Sequence, residues 1–225
     1  MQLYIPLLFA LVIAITHYVT SRMHHDCGMR HFKIISFSAG VSITYVLLEL
    51  LQNFIEAALH IHKLVFIFLL MGFSIHHLIE KETYQHKSKQ DLRRYLSFEE
   101  EAFSFFDQVV LGFVLVSLFK ENFVSGAIAF LPILAFTIVS ALDTKHSTVA
   151  KTAIAASATV VGTLINLALG DLPAWLHVSL LGLASGLVLF TVTRHHLPFG
   201  RDGRPIYFVL GVAASSLIII TTWYI

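Results

Sequence analysis

An aspartate, an amide and a hydroxyl sit together inside a long apolar run: Ser104, Asp107 and Gln108 occupy positions i, i+3 and i+4, which share one face of a helix. A carboxylate beside an amide and a hydroxyl can coordinate a hard cation or relay a proton. The same trio is equally what a hydrogen-bonded carboxylate near a membrane boundary would look like. If Asp107 faces protein it must be either neutral or paired with a cation. A second set, Glu49, Gln52, Asn53 and Glu56, follows i, i+3, i+4 and i+7 and predicts a polar stripe. Two readings of it stand side by side: a stripe facing the interior throughout, or Glu56 and Asn53 at the water interface with only Glu49 inside.

Histidines are numerous, 13 in all, and those that could ligate a metal are His76 and His77 with Glu80, together with His195. The i+3 and i+4 spacings from the two histidines to Glu80 allow a His–Glu pair on one helix face. The adjacent pairs His24–His25 and His195–His196 point about 100° apart on a helix and do not chelate together. A divalent metal is therefore compatible with the chain without being required by it. Cys27 is the lone cysteine, which excludes an internal disulfide and a cysteine-rich structural zinc. No phosphate loop, H-E-x-x-H or nucleophile elbow occurs, so the sequence reads as something other than an enzyme.

The elements that carry these groups are apolar and long. With 56% hydrophobic and 13% charged residues, one membrane domain over 1–225 accounts for the composition. Eight stretches, at roughly 3–20, 33–55, 62–80, 103–119, 123–142, 149–169, 174–193 and 205–225, each approach the length an α-helix needs to cross a hydrocarbon core. All of the 15 lysines and arginines except Lys63 and Lys120 fall in, or at the edge of, the gaps after spans 1, 3, 5 and 7. Basic loops are retained on the cytoplasmic side, which predicts cytoplasmic odd loops and both termini outside. The N-terminal stretch lacks a basic n-region and a small-residue cleavage site and is read as span 1.

The longest connection, 81–102 between spans 3 and 4, is expected to be a cytoplasmic loop. Ser97 followed by Glu100 has capping-box spacing, which predicts that the fourth helix starts at Ser97. Gly170 and Pro173 predict a stop and a restart between spans 6 and 7, and Pro132 predicts a kink in span 5. The partner is the lipid bilayer of a plasma or cytoplasmic membrane. A homodimer or another membrane-protein partner is compatible with this, and nothing implies nucleic acid.

The plan resembles the ZIP divalent-metal transporters, whose members have eight spans, outward termini and their longest loop between spans 3 and 4. Span 2 reads FSAGVSITYVLLELLQN from Phe37 to Asn53, similar to the family's "AGVFL…LLHLLPE" segment, with Ala39, Gly40 and Val41 in place. Span 3 ends in Gly72, Phe73, Glu80 and Lys81 as the family's does, and span 7 matches at Gly186 and Pro198. The resemblance implies a ZIP-like helical bundle, with small residues such as Gly40 and Gly186 letting helices approach closely. It also implies metal ligands, and here the chain departs. Against the family's H-N-x-x-D-G segment lie Phe103, Ser104, Phe105, Phe106, Asp107 and Gln108, so only the aspartate matches. Against H-E-x-P-H-E, the ligand positions hold Leu131, Pro132, Ala135 and Phe136. Glu49 stands at the span 2 histidine, Gln52 and Asn53 follow it in place of Pro-Glu, and His195 and Phe199 stand at the span 7 glutamates. The expectation is a ZIP-like protein with a degenerate metal site. It either carries a cation or another small solute along Asp107, Glu49 and their neighbours, or serves without transport as a subunit, scaffold or sensor.

Overall fold

A computed structural model describes the backbone of residues 4–22, 28–86, 89–143, 148–170, 172–196 and 204–224, with side chains at 28–31, 83–86, 89–100, 121, 143, 195–196 and 222 outside the description. Among the described residues the chain is helical apart from short connections, and it has no strand. The helices are α1 (Tyr4–Arg22), α2 (Gly28–Tyr45), α3 (Leu51–Ile61), α4 (Phe66–His86), α5 (Lys89–Glu121), α6 (Phe123–Asp143), α7 (Val149–Leu169), α8 (Ala174–Thr191) and α9 (Pro205–Thr222). Among the described residues seven stretches are long and apolar enough to cross a membrane, and the apolar helix Pro205–Thr221 is shorter. This is an all-α, multi-pass membrane protein.

The second span is α2 and α3 joined by a single π-turn at Val46–Leu50, where the Leu51 N–H bonds the Val46 carbonyl five residues back. One extra residue in that turn shifts the register of every side chain after it. The 3-10 turn Lys63–Val65 then opens α4, and a second π-turn, Val192–His196, extends α8. Gly170 ends α7 with φ of 68°, a left-handed conformation that costs a glycine nothing, and Pro173 caps α8. The predicted stop and restart are thus both present. α6 runs through Pro132 as one helix.

The start of the helix that carries span 4 differs from expectation. Backbone helix occupies 81–86 and 89–102, and α5 begins at Lys89, so Ser97 lies within a helix and does not cap one. A capping-box spacing is a local signal, and a helix that forms upstream of it absorbs the serine into its interior. The side chains of that polar stretch lie outside the description.

The helices pack as two groups around one apolar core. In one, α1, α5, α6 and α7 contact each other; in the other, α2 and α3, α4, α8 and α9 do. The groups meet where α2 lies on α6 and where α4 and α8 lie on α5. Leu111, Leu115, Ile133 and Phe136 from the first group join Tyr45, Leu50, Phe54 and Val188 from the second in a single buried cluster.

Close helix crossings hold the groups together, because in lipid small residues replace the hydrophobic effect as the means of association. The expected contacts at Gly40 and Gly186 are there: a Cβ on Gly40 would fall against the Phe208 carbonyl of α9, and one on Gly186 against the Leu69 carbonyl of α4. α5 and α7 cross in the same reciprocal way, Gly162 against the Val109 carbonyl and Gly112 against the Thr159 carbonyl.

Candidate functional site

The three polar residues of α5 share a helix face but divide among three sets of partners. Ser104 hydrogen-bonds Ser140 of α6. Gln108, 1% exposed, donates from Nε2 to the Thr137 hydroxyl at 3.0 Å and accepts at Oε1 from Thr159 of α7 at 2.8 Å. Thr137 passes its own proton to the Ile133 carbonyl at 2.8 Å, so its oxygen is free to accept from Gln108. Asp107, 0% exposed, points to the other helix group.

Asp107 Oδ2 accepts a 2.6 Å hydrogen bond from Thr191 at the end of α8. The same hydroxyl oxygen lies 3.3 Å from His76 Nδ1, and His76 Nε2 lies 3.6 Å from Asp107 Oδ1. Three helices, α4, α5 and α8, thus bring a carboxylate, an imidazole and a hydroxyl to one point at the boundary between the two groups. Phe103 stacks on the imidazole with ring centroids 4.0 Å apart, and Phe190 meets it edge-on at 5.7 Å. These rings fix the imidazole plane and exclude water.

The hydrogen-bond inventory constrains the protons here. The single Thr191 proton goes to Asp107, so its oxygen can only accept from His76 Nδ1–H. In a neutral imidazole of that tautomer Nε2 is an acceptor, and it faces Oδ1, which makes no hydrogen bond. Two acceptors opposed in a water-excluded site repel unless one of them carries a proton. The pair is therefore chemically suited to hold one proton between Oδ1 and Nε2, and the protonation of the two groups is coupled.

A divalent metal fits poorly. Among the described residues there is no group of three or more His, Cys, Asp or Glu side chains placed to hold one. One carboxylate, one imidazole and one hydroxyl fall short of the four ligands that zinc takes, and Pro132, Ala135 and Phe136 of α6 are buried apolar groups.

The remaining residues singled out by spacing are dispersed. Glu80 is buried and forms an ion pair with Arg194, Oε1 to Nη2 at 2.8 Å, while the contacts described above join His76 to Asp107 and Thr191. His77 is exposed and touches only the flank of the site, its ring 6.1 Å from Phe190. His195 lies in the second π-turn with its side chain outside the description. The stripe on span 2 splits at its π-turn: Glu49 is buried and accepts from Asn53 at 3.3 Å, whereas Gln52 and Glu56 are exposed and bond one another at 3.3 Å.

Spacing alone missed a polar ladder between α5 and α7, which run in the same direction with partners about fifty residues apart. From one end to the other it comprises Glu101–Lys151 at 3.2 Å, Gln108–Thr159, Thr163 to the Gly112 carbonyl at 3.2 Å, Asn166 to Ser117 at 2.9 Å and Lys120 to the Gly170 carbonyl at 2.6 Å. Its signal was present in Thr152, Thr159, Thr163 and Asn166, which recur at helical spacing on one buried face of α7.

No protein-family model matches this chain, and no curated protein matches it.

Proposed function

We propose that this chain is an eight-span membrane protein of ZIP-like plan, with both termini on the outer side, that moves protons or a solute coupled to them through Asp107 and His76. The observation that carries the reading is the fully buried Asp107 facing His76 across the boundary between two helix groups. Ionisable side chains within a span are rare and mark ion or proton pathways, so one fully buried about two turns inside the span Glu101–Lys120 supports a role in conduction. The π-turn Val192–His196, which begins directly after Thr191, adds support, since such turns recur where function needs a distorted helix. A relative movement of the helix groups by a few tenths of an ångström would make or break the Oδ1–Nε2 contact, coupling protonation to conformation.

The second reading, a subunit or scaffold that transports nothing, is favoured by the α5–α7 ladder, which is the kind of hydrogen-bonded seam that fixes a static interface. Proton uptake into proteoliposomes under an imposed pH gradient separates the two. The transport reading expects uptake in the wild type and its loss in Asp107→Asn.

Orientation has its own test, resting on the placement of basic residues in alternate gaps. Cys27 lies outside the described residues but within the first basic gap. A membrane-impermeant thiol reagent should label it in sealed cells only after the cytoplasmic face is opened; labelling in intact cells would reverse the topology.

A further inference from the structure

A cleft of about 200 Å³ opens between α1, α5 and α7 at the end of the molecule that carries Glu101 and Lys151. His17 and Ser21 line it from α1, Glu101 and Ser104 from α5, and Lys151 and Thr152 from α7. His17 is only 2% exposed, yet neither of its ring nitrogens has a hydrogen-bond partner, and the Ser21 hydroxyl one turn away has none either. An imidazole always carries at least one N–H and cannot satisfy itself, so leaving both nitrogens bare against apolar neighbours such as Phe105 and Ile154 is costly. The cleft is several times the liquid share of one water, about 30 Å³, and it offers water the two to four polar partners that hold it in place.

We propose that this cleft is an aqueous vestibule, with water held by His17 and Ser21, through which protons approach the buried polar residues of α5 from the Glu101–Lys151 side. The inference rests on the proton-transfer reading for its purpose, though not for the presence of water. The mouth is open, since Lys151 is 59% exposed while it pairs with Glu101 at 3.2 Å. These two are the charged groups that face His17 among the described residues, one from α5 and one from α7, and their opposite signs leave the entrance without a net barrier to a cation. The inner wall is Ser104, which bonds Ser140 on α6 and precedes Asp107 and Gln108 by one helical turn. Water in the cleft therefore reaches the last layer before the buried polar residues of α5 begin.

Thiol accessibility tests this directly. In a Cys27→Ser background, Ala155→Cys places a thiol on the cleft wall and Lys151→Cys places one at the mouth. A charged, membrane-impermeant thiol reagent should label both from the Glu101–Lys151 side and neither from the other. Labelling at the mouth without labelling at position 155, or labelling at 155 from the opposite side, would overturn the vestibule. His17→Phe should remove labelling at 155 by displacing the water, whereas His17→Gln, which keeps a donor and an acceptor, should preserve it. Persistence of labelling in a folded His17→Phe protein would show that His17 does not hold the water. Labelling at 155 in a protein that conducts no protons would leave the vestibule standing and sink the transport reading. Proton uptake unaffected by complete labelling at 155 would sever the vestibule from the path.

Discussion

Asp107→Asn is expected to reduce proton uptake to the level of protein-free vesicles while leaving the protein folded. The substitution preserves shape and the local bonds: the new amide oxygen still accepts from Thr191, and its NH2 can donate to His76 Nε2, 3.6 Å from Oδ1 in the wild type. What it removes is the ability to take up and release a proton. Stability should be unchanged or higher by about 1 kcal/mol, because a buried ionisable group has been replaced by a neutral one with its partners intact. Uptake that is present in the wild type and equal in the variant would rule out this path. Absence of uptake for protons and for every cation tried would favour the scaffold reading, under which the same change is silent.

The largest effect on folding is expected at the α5–α7 crossing, from Gly162→Val. A side chain there meets the Val109 backbone, which cannot rotate away, and the reciprocal contact of Gly112 with Thr159 lies beside it. Forcing the helices apart carries an overpacking cost of about 1–3 kcal/mol. It also strains the bonds from Thr159 to Gln108, from Thr163 to Gly112 and from Asn166 to Ser117, each worth about 0.6 kcal/mol on average in a membrane protein. Thermal unfolding in detergent should show a drop of several degrees or a loss of folded protein. Gly126→Ala is the control: its Cβ would meet the Phe119 ring, a side chain able to shift, and a small effect is expected. Equal behaviour of the two variants would mean that the crossing is looser than its geometry indicates.

The helical scaffold was open to reading because its signals are long and redundant. The apolar pattern places span 1 at 3–20, where α1 occupies Tyr4–Arg22, and span 6 at 149–169, the residues of α7. Twenty apolar residues leave little choice of structure when every backbone group must be bonded internally. The start of α5 was misplaced by eight residues because a polar helix carries no such pattern, and a lone capping signal at Ser97 outweighed it.

The site was half visible for a related reason. Asp107 stood out as a charge in an apolar run, but its partners His76 and Thr191 lie on other helices, and one-dimensional spacing reports only neighbours on the same face. Spacing could offer His76 and His77 only the possibility of a pair with Glu80, whereas the ion pair of Glu80 with Arg194 crosses between helices. Threonines 137, 159 and 191 were passed over because a helical threonine can bond its own preceding turn, as Thr137 does, and so does not announce a tertiary role. Nothing in the spacing of the sequence singles out His17. Only the packing of α1 against α5 and α7 reveals that it is buried beside a cleft.

The most direct test is whether the Asp107 carboxyl gains and loses a proton. Infrared difference spectra between acidic and alkaline buffer, compared for wild type and Asp107→Asn, isolate this group from the other carboxylates. A protonated-carboxyl band that changes with pH in the wild type, shifts in deuterium oxide, is altered by His76→Gln and is missing from Asp107→Asn is the predicted result. Identical difference spectra for wild type and Asp107→Asn over the whole range in which both stay folded would contradict the account.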